Sequence, residues 1–129
     1  MVVVHDAARP LVERDLVERC IAGLDGVEGA IAAAPVTDTV KEAGSDGRVL
    51  RTLDRSALWA VQTPQVFQPD ALRRALDVDD SVLAAATDDA SLVEAAGGAI
   101  ALVEAPRENI KVTTQLDLRV AEAMLEARC

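Results

Sequence analysis

The sequence predicts an α/β protein built on a largely parallel open sheet, with a β-hairpin projecting from it as an arm. Three observations support this. Short apolar runs alternate with stripes at helical spacing through most of the chain. The runs are continuously apolar rather than alternating, as in strands buried on both faces of a parallel sheet. One more polar segment, centred on Gly44-Ser45-Asp46-Gly47, joins two short β-prone stretches, the pattern of a hairpin.

In chain order, Val2-Val3-Val4-His5 is the first strand. It starts at the first residue, where a central strand would have neighbours. From Leu11 to Leu24 a stripe of Val12, Leu16, Val17, Cys20, Ile21 and Leu24 marks a helix, stopped near Gly23 and Gly26. Gly29 to Ala34, before Pro35, reads as a second buried strand. Thr39-Val40-Lys41 and Val49 to Thr52 form the hairpin, within an arm at about 36–56. Leu58 to Gln62 is a further strand, expected to stop at Thr63-Pro64. Helices are expected at Asp70 to Leu76, around Ser81 to Ala86, and from an Asp88 or Asp89 cap to Ala96, where Gly97-Gly98 ends the last of them. Ala99 to Val103 is a strand. Thr114, with Asp117 three residues on, caps a terminal helix. No repeat or linker divides the 129 residues, so a single domain is expected.

Half of the residues are hydrophobic, yet there is one Phe, one Trp and no Tyr, so Ala, Val, Leu and Ile must build the core. No apolar run approaches the ~20 residues that span a bilayer. The opening MVVVHDAARP has neither the basic region nor the cleavage site of a signal peptide. Cys20 and Cys129 make no metal or disulfide pattern. A soluble, cytoplasmic protein is the expectation. The net charge of −9 argues against a nucleic-acid partner, which would call for a basic face. It leaves room for a small phosphorylated ligand held by a few local cations. Of the 13 basic residues only Lys41 and Lys111 are lysines, so those two stand out.

The segment His5-Asp6-Ala7-Ala8-Arg9-Pro10 follows the first strand, where open α/β sheets place ligands. Asp6 is suited to a divalent cation, since Mg²⁺ takes carboxylate oxygen and shares its other positions with phosphate and water. Arg9 offers a planar fork for phosphate. Ala7 and Ala8 let a ligand approach the backbone. A plain strand exit with an Asp-capped turn fits these residues equally well, and His5 reads as a hydrogen-bonded strand-end histidine.

Val3 to Pro10 resembles the hallmark segment of the 2-C-methyl-D-erythritol 4-phosphate cytidylyltransferases. Four more blocks are similar to that family in the same order: Thr37 to Lys41, Asp54 to Phe67, Thr87 to Glu94, and Glu108 to Thr113. The resemblance implies an open sheet of the nucleotidyltransferase (Rossmann-like) type. It also implies transfer of a cytidylyl group from CTP to methylerythritol phosphate, with release of pyrophosphate, in non-mevalonate isoprenoid biosynthesis. Mg²⁺ or another divalent cation, and a homodimer joined through the arm, come with it. By the same resemblance Asp6 serves nucleotide, metal and substrate, and Ala7 lies by the ribose. Arg9, Thr63 and Lys111 belong to the substrate pocket, and Thr39 and Arg55 reach a partner subunit's pocket. Asp6, Arg55 and Lys111 are then the catalytic candidates, and Asp88 and Asp89 remain helix caps.

Family members open with a strand and a glycine-rich loop, followed by an Arg and a Lys, that cradle the triphosphate. No such loop occurs in these 129 residues, where Gly97-Gly98 is a helix stop and Gly44 to Gly47 a turn. The sequence is therefore expected to represent the carboxy-terminal portion of the domain and to show little or no turnover alone. A pentitol phosphate (ribitol 5-phosphate) cytidylyltransferase, or a non-catalytic binding or dimerisation fragment, are the competing readings.

Overall fold

In the computed structural model, residues 1–128 are described. Cys129, one of the two cysteines read as making no metal or disulfide pattern, lies outside them. The elements are β1 (Val2–Val4), α1 (Arg14–Ala22), β2 (Gly29–Pro35), β3 (Lys41–Ala43), β4 (Val49–Thr52), β5 (Trp59–Phe67), α2 (Pro69–Leu76), α3 (Asp80–Ala85), α4 (Asp89–Ala95), β6 (Ile100–Glu104) and α5 (Gln115–Glu126). A single 3-10 turn, Arg55–Ala57, precedes β5.

Four strands form the main sheet in the order β1-β5-β2-β6. β1 and β2 both pair antiparallel with β5, and β2 pairs parallel with β6. Three of the four strands therefore point the same way, with β5 reversed between β1 and β2. The α/β class stands, but the sheet is mixed. β2 is the central strand the sequence suggested. Its run Gly-Ala-Ile-Ala-Ala-Ala is buried throughout, and the small side chains let helices approach both faces. On one face Ile31 and Phe67 pack with Leu72, Ala75, Ala90, Leu92 and Val93 from α2 and α4. On the other, Ala32 and Val66 meet Leu16 and Cys20 of α1, together with Ala105. Burying a side chain as large as Phe67 contributes about 1.5–3 kcal/mol. Gly29 permits this packing, because a Cβ there would lie 2.6 Å from Ile100 Cδ1 and 2.8 Å from Phe67 Cδ1.

Two expectations need correction. The first strand is not buried on both faces: β1 pairs with β5 alone among the described residues, and Val2 and Val3 are exposed. The second concerns Thr63-Pro64, which does not stop β5. The strand runs on to Phe67 because the irregularity falls inside it. Ile31 faces Gln65 and Ala33 faces Val61, so two steps on β2 match four on β5. Gln62, Thr63 and Pro64 leave the ladder in this wide bulge, which spares Pro64 the N–H it lacks. The Thr63–Pro64 peptide is cis.

The helix caps follow the sequence. Asp88 accepts from Ser91 N at 2.9 Å, and Thr114 with Asp117 makes a full capping box on α5. Among the described residues β3 and β4 pair only with each other, as the arm should. Lys41 Nζ donates to Thr52 Oγ1 across that hairpin, and Arg51 pairs with Glu42. Lys41 is thus the ordinary surface lysine of the two.

Candidate active site

The principal cleft has a volume of about 760 Å³ and lies over one face of the sheet. Its floor is a single row of registered residues across all four strands: Val4, Gln65, Ile31 and Leu102. One side is the loop leaving β1. The opposite side is the loop before α4 and its first turn, with Thr87, Asp88 and Asp89. The β5 bulge and the loop after β6 complete the polar end.

That polar end is assembled from three distant chain segments. Asp6 lies two residues past β1, and its backbone N–H donates to Thr63 Oγ1 at 3.0 Å. The carboxylate Oδ2 lies 3.2 Å from Lys111 Nζ and 3.5 Å from Arg9 Nε. Both cations share this one oxygen, which leaves Oδ1 without a cationic partner among the described residues. Arg9 Nη1 donates to Asn109 O at 2.7 Å, while its buried Nε is near Asp6 but not aligned for a hydrogen bond. Arg9 is thus partly committed to fastening the Asn109 loop, more than an open phosphate fork would be. Val112 N donates to Ala8 O at 2.7 Å, which brings Lys111 alongside Asp6. Lys111 is about half exposed, so its ammonium is accessible to an anion.

His5 is hydrogen-bonded on both ring nitrogens, as expected. Nε2 lies 3.1 Å from the Arg9 carbonyl, which can only accept, so Nε2 carries a proton. Nδ1 lies 2.9 Å from Thr63 Oγ1. In the neutral ring the Thr63 hydroxyl therefore donates to Nδ1 while it accepts from Asp6 N–H.

Asp6, Arg9, Thr63 and Lys111 line the same cleft. Ala7 does not; it sits exposed in the turn closed by Arg9 N to Asp6 O. Thr39 and Arg55 also lie outside the cleft. Thr39 is exposed just before β3, and Arg55 Nη1 donates to the Thr37 carbonyl. Beside Arg55, hydrogen bonds from the Ser56 hydroxyl and amide hold the Asp54 carboxyl below its usual range. Burial pushes the Cys20 thiol up to about 11, as befits a packing residue away from the site.

Three polar residues escaped the sequence reading. Asn109 is 1% exposed, and its Nδ2 donates to Gln62 Oε1 at 2.8 Å and to Thr63 O at 2.9 Å. Gln65 is also buried and donates to Asp88 Oδ2 at 2.9 Å. The available signal was a pair of glutamines flanking Thr63-Pro64 in an otherwise apolar strand.

A cleft over a mostly co-directional α/β sheet, with a carboxylate and two cations converging from two loops, offers the groups that phosphate binding calls for. The family model for 2-C-methyl-D-erythritol 4-phosphate cytidylyltransferase, IspD, matches residues 1–127, and the chain belongs to that family. The Rubrobacter xylanophilus protein of that name is 51% identical over 127 residues, covering 98% of this chain and 54% of its own. The Bacillus licheniformis one is 46% identical, with the same coverage. The crystal structure of the Thermus thermophilus enzyme superposes with a TM-score of 0.83 at 38% identity, over 97% of this chain and 61% of that one. The chain thus spans about half the length of the curated relatives it matches.

Proposed function

We propose that this chain supplies the polyol-phosphate half of a cytidylyltransferase active site. The complete enzyme would transfer a cytidylyl group from CTP to 2-C-methyl-D-erythritol 4-phosphate. The observation that carries this is the convergence of Asp6, Arg9, Thr63 and Lys111 at one end of one cleft. In the reaction a phosphate oxygen of the acceptor attacks the α-phosphorus of CTP. The α–β phosphoanhydride bond breaks, and pyrophosphate leaves with the electron pair. The nucleophile is already ionised at neutral pH, so the protein must chiefly align two polyanions and screen their charge. Lys111 supplies an accessible cation, and Arg9 holds the loop that presents it. Asp6 has a carboxylate oxygen free of cations among the described residues, which fits Mg²⁺ shared with ligand phosphates. A bound divalent cation would withdraw charge from the α-phosphate; Asp6 is the residue to hold it.

Ala7 is proposed to lie by the ribose. Thr39 and Arg55, outside this cleft, are proposed to serve the cleft of a second copy through the arm, in a cytoplasmic homodimer. The 129 residues contain no glycine-rich phosphate loop, so they are expected to bind the polyol phosphate while showing little turnover of CTP.

Calorimetric titration with methylerythritol 4-phosphate and with ribitol 5-phosphate tests this reading. Preferential binding of the first supports it. Preference for the second would move the assignment to the pentitol phosphate enzymes, and no binding of either would favour a non-catalytic module. A pyrophosphate-release assay with CTP and Mg²⁺ checks turnover directly.

A further inference from the structure

We infer that Gln62 is a further ligand-contacting residue, with its side-chain NH₂ held toward the cleft by Asn109 as a neutral donor to an oxygen of the bound polyol phosphate. The inference rests on the reading above and follows from a chain of amide orientations. Thr63 O is a backbone carbonyl and can only accept. The end of the Asn109 amide that faces it at 2.9 Å must therefore be the NH₂, and a flipped amide would set two oxygens together. The same Asn109 nitrogen lies 2.8 Å from the Gln62 side chain, so the Gln62 end turned toward it must be the carbonyl oxygen. Its Nε2 is then the outer end. That nitrogen has no hydrogen-bond partner among the described residues and is not fully buried, and Gln62 lines the cleft.

The chemistry is distinct from that of Lys111 and Arg9. A fixed, uncharged donor discriminates by position, and rejects a ligand lacking an acceptor there. Burial of Asn109 makes the orientation rigid, because turning the Gln62 amide over would leave Asn109 Nδ2 facing another donor.

The test uses the whole chain. Gln62→Glu keeps an oxygen for Asn109 and replaces only the outward NH₂, so its melting temperature should stay near that of the parent. Gln62→Met removes the donor without adding charge. Each should weaken methylerythritol 4-phosphate binding about 10-fold or more, as loss of a hydrogen bond to a charged or well-ordered group does. Inorganic phosphate serves as a second probe. An equal loss for both probes places the acceptor on the phosphate, and a loss confined to the polyol phosphate places it on a hydroxyl; either supports the contact. In the parent, the Gln62 side-chain amide signal in a nitrogen-correlated NMR spectrum, assigned by its absence from the variants, should shift on titration. Unchanged affinity in both variants with a stationary amide signal overturns the inference while the polyol-phosphate reading survives. Absence of binding by the parent itself overturns both.

Discussion

The cleft wall and the arm both carry candidate site residues, but they hold them by different means. In the wall, Asp6, Thr63 and Lys111 come from segments more than forty residues apart and are locked through buried amides and backbone bonds. In the arm, Thr39 and Arg55 flank a two-stranded ribbon whose strands, among the described residues, pair only with each other and whose side chains are mostly solvated. A buried network fixes side chains within one subunit. An exposed ribbon is suited to groups that complete their contacts elsewhere, so the two sets of residues should respond differently to substitution.

The largest effect should come from Asn109→Leu. It leaves Thr63 O and Gln62 Oε1 without their donor beside a buried loop, at a cost of about 2–4 kcal/mol. Urea denaturation measures it. A loss under about 1 kcal/mol, smaller than one unsatisfied buried group, would show that the wall is not held at this point. Lys111→Met should act on the ligand instead of the fold. Its pair with Asp6 is partly exposed and contributes little to stability, whereas losing its charge should weaken methylerythritol 4-phosphate binding about 10–100-fold. Undiminished binding on calorimetry would remove Lys111 from the site.

Cys20 probes the layer behind the wall. Its thiol is fully buried under α1, and its pKa is raised from 9.0 to about 11. The unfolded chain loses this proton first, so the thiol's contribution to stability is intact below pH 9 and falls away as pH rises toward 11. Unfolding free energy should decline over that window by an amount on the order of 1–2 kcal/mol more than in Cys20→Ala. In a Cys129→Ser background a thiol reagent should label the protein only after urea is added. Rapid labelling of the native form would place Cys20 in an opening segment.

Much of this was legible in the sequence, and what was not has a local cause. Helix caps such as Asp88 and Thr114 depend on neighbours within three residues, so composition revealed them. β2 announced itself through an unbroken small apolar run. The reversal of β5 did not, because strand direction depends on which partner it finds across the sheet. Thr63-Pro64 misled for the same reason: proline normally ends a strand, but here the bulge facing Ala32 accommodates it. Asp6 and Arg9 were read from their residue types beyond the first strand, Lys111 from the scarcity of lysine and Thr63 from the family resemblance, and the cleft brings all four together. Asn109 and Gln65 were missed because a buried amide looks like a surface one until its partners are known.

The smallest effect should fall in the arm, and its smallness is the informative part. Arg51 and Glu42 form a cross-strand pair whose side chains are 70% and 42% exposed. Such pairs contribute about 0–1 kcal/mol because water and salt screen the charges. Arg51→Ala should therefore change the urea midpoint by the equivalent of about 0.5 kcal/mol or less, with an unchanged slope. The same substitution should leave methylerythritol 4-phosphate binding by a dilute, monomeric sample as it was, since Arg51 does not line the cleft. A loss above about 1.5 kcal/mol, beyond what an exposed pair supplies, would mean that the arm is fastened to another surface. Sedimentation of parent and variant across a concentration series would then show whether that surface belongs to a second copy.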